Sequence, residues 1–242
     1  MTATDRSARA VAMPGATRPP VRRPATLAAR LLACRAGVSA VEFALICPVI
    51  LALILGGVDL SRYIAYTRKV GEAAQTIASL VTQNASGSVN LYDLYFANDS
   101  SMVIFPDALR DAKARGSAWY ETILITITSV KFSQTSASCT GNCSYTAKVA
   151  WSYGLRQRPC NVALTPASDT AEPTPGTLPA NVFGPGSVIV VEAAYVFTPI
   201  LANALIGTRV IARTSYLAPR YVPAIAFDPG MGSTATTVCP GV

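Results

Sequence analysis

The sequence predicts an α+β protein: a long N-terminal transmembrane helix that continues into an outer domain with an antiparallel sheet of about four strands. Three observations carry this. Gly37 to Val58 is apolar except for one acid, Glu42. Apolar residues then recur at three- and four-residue spacing as far as Gln83, the period of a helix with one buried face. Four later segments are rich in β-branched residues and alternate at least in part, as half-buried strands do.

Val38 to Val58 is 21 residues. As a helix, at about 1.5 Å per residue, it reaches about 30 Å, the thickness of a bilayer's hydrocarbon core. A cleavable secretory signal has a shorter apolar region followed by a small-residue cleavage site, and no A-x-A site ends this one. A buried core helix is the other reading, and a run of this length with one charge argues against it. The run passes into Asp59, Arg62, Arg68 and Lys69, which read as a helix emerging into water. Arg6, Arg9, Arg18, Arg22, Arg23, Arg30 and Arg35 precede it. Positive flanks stay cytoplasmic, so the C-terminal part is expected outside.

Charge reads as topology. The formal net charge is +7, but residues 1–37 hold seven arginines against one aspartate, and the remainder has 13 basic and 12 acidic residues. No basic face is left for nucleic acid. Hydrophobic residues make up 51% and charged residues 14%, which suits a membrane-anchored protein with a modest soluble domain.

In chain order, residues 1–37 form a basic leader rich in Ala, Arg and Pro, expected to have no stable structure. Met13 is an alternative start. Leu31-Leu32-Ala33-Cys34 imitates a lipoprotein box, but arginines interrupt the apolar stretch that such a box needs. Pro48 removes one backbone donor within the span, predicting a kink. Residues 59–83 extend the helix amphipathically, with Leu60, Ile64, Thr67, Val70, Ala74, Ile77 and Val81 as its apolar stripe, which has to bury against the protein's own sheet, the favoured reading, or against another subunit.

Residues 84–242 form the exported α+β domain. Leu91–Phe96 and Met102–Ala114 read as short helices, and Tyr92, Tyr95 and Phe96 are expected to pack the domain. The strands are Thr122–Phe132, Ser144–Tyr153, Ser187–Phe197 and Thr208–Leu217. Between the second and third lies the insert 156–186, whose six prolines predict an exposed loop. The tail from Tyr221 reads as irregular cover.

Cys139, Cys143, Cys160 and Cys239 lie beyond the span. An even number in an exported domain suggests two disulfides. Of three possible pairings, Cys139–Cys143, closing a hairpin loop, with Cys160–Cys239, tying the tail to the insert, is preferred. A four-cysteine zinc site is disfavoured, because Cys139-Thr-Gly-Asn-Cys143 is a solitary close pair. The chain has no histidine, which removes Ser-His-Asp and Cys-His catalysis and the commonest metal ligand. No Gly-rich phosphate loop follows a strand, and no pair of carboxylates is singled out. The reading is of a non-enzyme with no cofactor, no metal and no small-molecule substrate.

An acid inside hydrocarbon is a functional hypothesis by default, unless it snorkels to the interface one turn away. Its setting decides. Gly37 follows a basic leader and precedes Val-Ser-Ala-Val-Glu-Phe. A glycine, four residues, then Glu and an aromatic resembles the processing site of type IV-like prepilins. AVEFALICPVILALILGGVDLSR, with Pro48, Asp59 and Arg62, more closely resembles the TadE-like and TadG-like minor pseudopilins of tight-adherence pilus systems. The third strand ending in Tyr-x-Phe-x-Pro, and the fourth closing with Pro219-Arg220, are similar to the TadE-like family as well.

The resemblance implies a pilin-like layout in a bacterial inner membrane. It implies a prepilin peptidase that cuts between Gly37 and Val38, with Glu42 and Phe43 as its recognition residues. Glu42 would then pair with the new amine of a neighbouring subunit, because an unpaired buried charge is costly and a paired one tolerable. Other pilus or secretion subunits are the implied partners. The alternative is an uncleaved bitopic anchor with an extracytoplasmic scaffold or cell-wall-binding domain.

Overall fold

The computed structural model describes residues 36–171, 174–200, 203 and 207–242. The expectations for the leader, including its arginines and Cys34, lie outside the described residues up to position 35. Two compact units are distinguished, Met1–Ala52 and Leu53–Val242.

Helix α1 spans Ala36–Thr82 with Pro48 inside it. No residue from Ser39 to Val58 is buried. The most apolar stretch has a mean hydropathy of 2.5, none of it covered by the protein, and the helix is long and apolar enough to cross a membrane. A core helix would be mostly buried, so that alternative fails. At the other end the Thr82 hydroxyl folds back onto the Ala78 carbonyl at 2.8 Å. Asn84 then accepts from the Ser86 N–H at 2.9 Å, a local turn that stops the helix.

In the second unit, α1 buries Tyr66, Val70, Ala73, Ala74, Ile77, Ala78 and Val81. The expected stripe holds from Val70 onward and fails before it: Leu60 and Ile64 are exposed. At 3.6 residues per turn they stand roughly 100° round the helix from the Val70–Ile77 seam, and Tyr66 occupies the seam in their place.

Strand β1 (Ser88–Asn90) leads into α2 (Leu91–Ile104), which opens on a capping box between Asn90 and Asp93. This is one helix where a shorter one was expected. Its buried residues are Leu91, Leu94, Ala97 and Ser101. Tyr92 and Phe96 point outward instead of packing the core, while the part-exposed Tyr95 meets buried Tyr153 edge-on. Helix α3 (Asp107–Arg115) follows Pro106 and ends at Gly116, whose φ of 65° suits glycine. A single turn, α4 (Trp119–Thr122), enters the sheet.

The long strands are β2 (Ile123–Gln134), β3 (Tyr145–Gly154), β6 (Ser187–Phe197) and β7 (Arg209–Leu217). They pair antiparallel in the order β3-β2-β6-β7. On one face Ile123, Ile125, Ile127, Ile189, Val191 and Tyr195 pack with α1 and α2. On the other, Val130, Phe132, Val149, Val188 and Val190 form a second cluster. In β3 the register steps from Ser129↔Trp151 to Val130↔Val149, so Ala150 is an extra residue. This bulge moves Trp151 and Tyr153 to the helix face while Ala147 and Val149 serve the other.

The insert corrects an expectation. It contains β4 (Ala163–Ala167) and β5 (Thr177–Pro179), which pair parallel and extend the sheet beyond β3. Their Leu164 and Leu178 are buried in the second cluster. Pro179 is tolerated because β5 is at the sheet's edge, and Pro166 because β4 pairs with β3 only at Ala163 and Leu164. The Arg158 side chain is fully buried beneath them. Its guanidinium donates to both oxygens of Glu192, at 3.1 and 2.9 Å, and to the carbonyls of Pro175 and Thr177 at 3.3 and 3.0 Å. The tail is likewise more ordered than expected. Strand β8 (Ala226–Asp228) pairs with β1, and β9 (Thr236–Val238) pairs with β3. The Trp151 indole N–H fastens it through the Ile225 carbonyl at 2.8 Å.

A charge buried with all its partners is tolerable, and removing one side of such a pair strands the other. Arg158→Met keeps the stem and strips the charge. It is expected to lower the unfolding free energy by about 3 kcal/mol, the low end for breaking a buried pair, read by denaturant titration. Glu192→Gln, at a partly exposed position, is expected to cost less.

Candidate functional site

The residues of the candidate processing site lie at the start of α1. Gly37 and Val38 are in its first turn, and the Val38 side chain lies outside the described residues. Glu42 and Phe43 follow one turn later, both exposed. Glu42 follows Val38 by four residues on one helix, about one turn.

Further along, the second unit grips the helix where the apolar run ends. Asp59 does not emerge into water as expected; it is 3% exposed. Its carboxylate accepts from the Ile200 N–H at 3.0 Å and lies 3.6 Å from the Arg62 guanidinium. The link after β6 is thereby fastened to α1. Arg62 lies over the rings of Tyr66 and Phe197, at 5.3 and 5.7 Å from their centroids. Tyr66 packs edge-on to Phe105, Tyr195 and Phe197, with centroids 5.0, 5.6 and 5.8 Å away. Its hydroxyl accepts from Arg62 and Arg110 at 3.3 and 3.1 Å.

Helix α3 completes the grip. Asp107 takes Lys69 at 2.6 Å and Arg110 at 2.9 Å. Asp111 accepts the Tyr195 hydroxyl and lies 3.9 Å from Arg115. These ion pairs are partly exposed and each contributes at most about 1 kcal/mol. The buried aromatic cluster therefore supplies most of the adhesion, and the charges set its geometry. Asp59, Asp107 and Asp111 are each held by a cation or a hydrogen-bond donor. The arrangement positions a helix.

The cysteines stand two and two. Cys139 and Cys143 approach in the β2–β3 loop with Cα atoms 5.6 Å apart, and Cys160 approaches Cys239 with Cα atoms 5.3 Å apart. Both separations fall in the range that a disulfide spans. Cys47 is a free thiol within the span.

Sequence reasoning marked Asp59 and Arg62 but missed Asp107, Arg110, Asp111, Arg115 and Tyr195. The signal on α3 was its oppositely charged residues at i,i+3 and i,i+4 spacing.

Burial first, then the Asp111 hydrogen bond, holds the Tyr195 phenol above its ordinary value near 10. A raised folded-state value means that the stabilisation is complete below about pH 10 and is lost as pH rises beyond it. Tyr195→Phe is expected to be about 1 kcal/mol less stable at neutral pH, for one lost hydrogen bond. Its stability should then fall less steeply than the parent's above pH 10, as measured by thermal unfolding across pH.

No curated protein and no solved structure matches the chain. Residues 37–79 match a family model, that of TadE-like protein. The matched stretch begins at Gly37, takes in Glu42, Asp59, Arg62 and Tyr66, and ends within the buried part of α1. Over those residues the chain is similar to the TadE-like family, and the likeness read from AVEFALICPVILALILGGVDLSR is the one the family model finds.

Proposed function

We propose that this protein is a minor pseudopilin or accessory component in the assembly of a tight-adherence pilus. The observation that carries the reading is the family match over residues 37–79. It is supported by a helix whose apolar run is uncovered from Ser39 to Val58 and gripped by the domain from Asp59 onward. The protein sits in a bacterial inner membrane with its N-terminus cytoplasmic and residues 84–242 outside. A prepilin peptidase removes residues 1–37, reading Gly37, Glu42 and Phe43.

Cleavage leaves the Val38 amine at the start of the helix and Glu42 one turn below it. In hydrocarbon both charges are costly alone and tolerable together. The Glu42 carboxylate of one subunit pairs with the amine of the next, which fixes axial register, while the uncovered apolar surface of α1 supplies lateral contact with other pilus subunits. Disulfides Cys139–Cys143 and Cys160–Cys239 brace the exported domain. The work is association, not catalysis.

The test is incorporation into filaments. In its own host, Glu42→Ala is expected to reduce the protein found in sheared, sedimented filaments at least tenfold while the membrane pool persists. Undiminished incorporation of Glu42→Ala would contradict the pairing step. Parent protein confined to the membrane fraction of piliated cells would instead favour an anchored scaffold.

A further inference from the structure

Away from the α1 grip, the outer domain carries an open cleft of about 560 Å³ that the assembly reading does not use. Its size is that of a small-molecule site. It is lined by Tyr95 from α2, Trp119 and Tyr120 from α4, and Tyr153 at the end of β3, with Asn98 and Asp99 at its edge. The rings form two edge-on pairs, Tyr95 with Tyr153 at 6.1 Å and Trp119 with Tyr120 at 6.0 Å. Tyr95 and Tyr120 present exposed ring surface.

The polar side chains here are uncommitted. Asn84, Asn90, Asp93 and Asp107 hydrogen-bond or pair within the protein. The amide of Asn98, the carboxylate of Asp99 and the hydroxyls of Tyr95, Tyr120 and Tyr153 have no hydrogen-bond partner among the described residues. Burial, then the neighbouring Tyr95 and Asp99, pushes the Tyr153 phenol up to about 12, so it keeps its proton as a donor. The cleft thus offers flat aromatic faces beside a mixed set of donors and acceptors. Among the described residues its lining includes no lysine or arginine, which disfavours phosphate, nucleic acid and acidic peptide.

We propose that this cleft binds an uncharged oligosaccharide. The C–H-rich face of a pyranose ring stacks on Tyr120 or Trp119, and its hydroxyls both donate to Asp99 and accept from the tyrosines and Asn98. A proline-rich peptide would also suit an aromatic groove. It has acceptors but no N–H at proline, so it leaves the Asp99 carboxylate without a donor. The inference is independent of leader cleavage and filament assembly.

The chain has two tryptophans. Trp151 is buried and Trp119 lines the cleft, so indole emission reports on the site. Full-length protein in a sugar-free detergent is titrated with triacetylchitotriose, cellotriose and maltotriose. At least one is expected to shift the emission saturably. The response should vanish in Trp119→Phe and weaken at least tenfold in both Tyr120→Ala and Asp99→Ala, variants at exposed positions whose circular dichroism should match the parent. No response to any of the three, or one retained in Tyr120→Ala and Asp99→Ala, overturns the assignment. A response to decaproline without one to the sugars overturns it in favour of a proline-rich ligand.

Discussion

One helix has to satisfy two solvents. The first part of α1 is apolar apart from Glu42, and the protein covers none of its most apolar stretch. From Tyr66 to Val81 the same helix supplies one wall of a water-soluble core. The change occurs within about two turns, and Asp59 stands at the crossing. A carboxylate at the edge of an apolar run has to be either hydrated or paired. Here it is buried and spent on the backbone of Ile200 and on Arg62. That use of the charge fastens the β6–β7 link to α1, and the aromatic cluster around Tyr66 then seats α3 and the end of β6 on the same turn.

The remainder of the domain follows from covering a sheet on both faces. The helices cover one. The other carries Val130, Val149, Val188 and Val190, and the proline-rich insert lies over it. The insert is held by Leu164 and Leu178 packing, by Arg158 beneath, and by Cys160 brought to Cys239 from the tail. A bond between those two cysteines closes a loop with a sequence separation of 79, a constraint on the unfolded chain worth several kcal/mol in the chain-entropy model. The bulge at Ala150 lets β3 serve both faces.

Much of this was legible in the residues. The span, its amphipathic continuation and the four long strands announced themselves through length and periodicity, because each buries or exposes a whole face. The motif from Gly37 to Arg62 pointed to the family that the model match also finds. What escaped was non-local. Prolines in the insert argued against strands, yet edge strands accept them, and a buried Arg158 leaves no local signature. Tyr92 and Phe96 looked like core because they are large and apolar, but α2 starts after the Asn90 cap in a phase that turns Leu91, Leu94 and Ala97 inward. The α3 charges gave a spacing but not their partners on α1 and β6.

On the proposed reading, α1 is delivered to a filament after its leader is removed. The direct measurement is the intact mass and N-terminal sequence of the protein isolated from membranes of its own host. A chain that begins at Val38, with Glu42 as its fifth residue, is expected. A chain that begins at Met1 or Met13, in cells that process their other prepilins, would contradict it and leave α1 as a plain anchor.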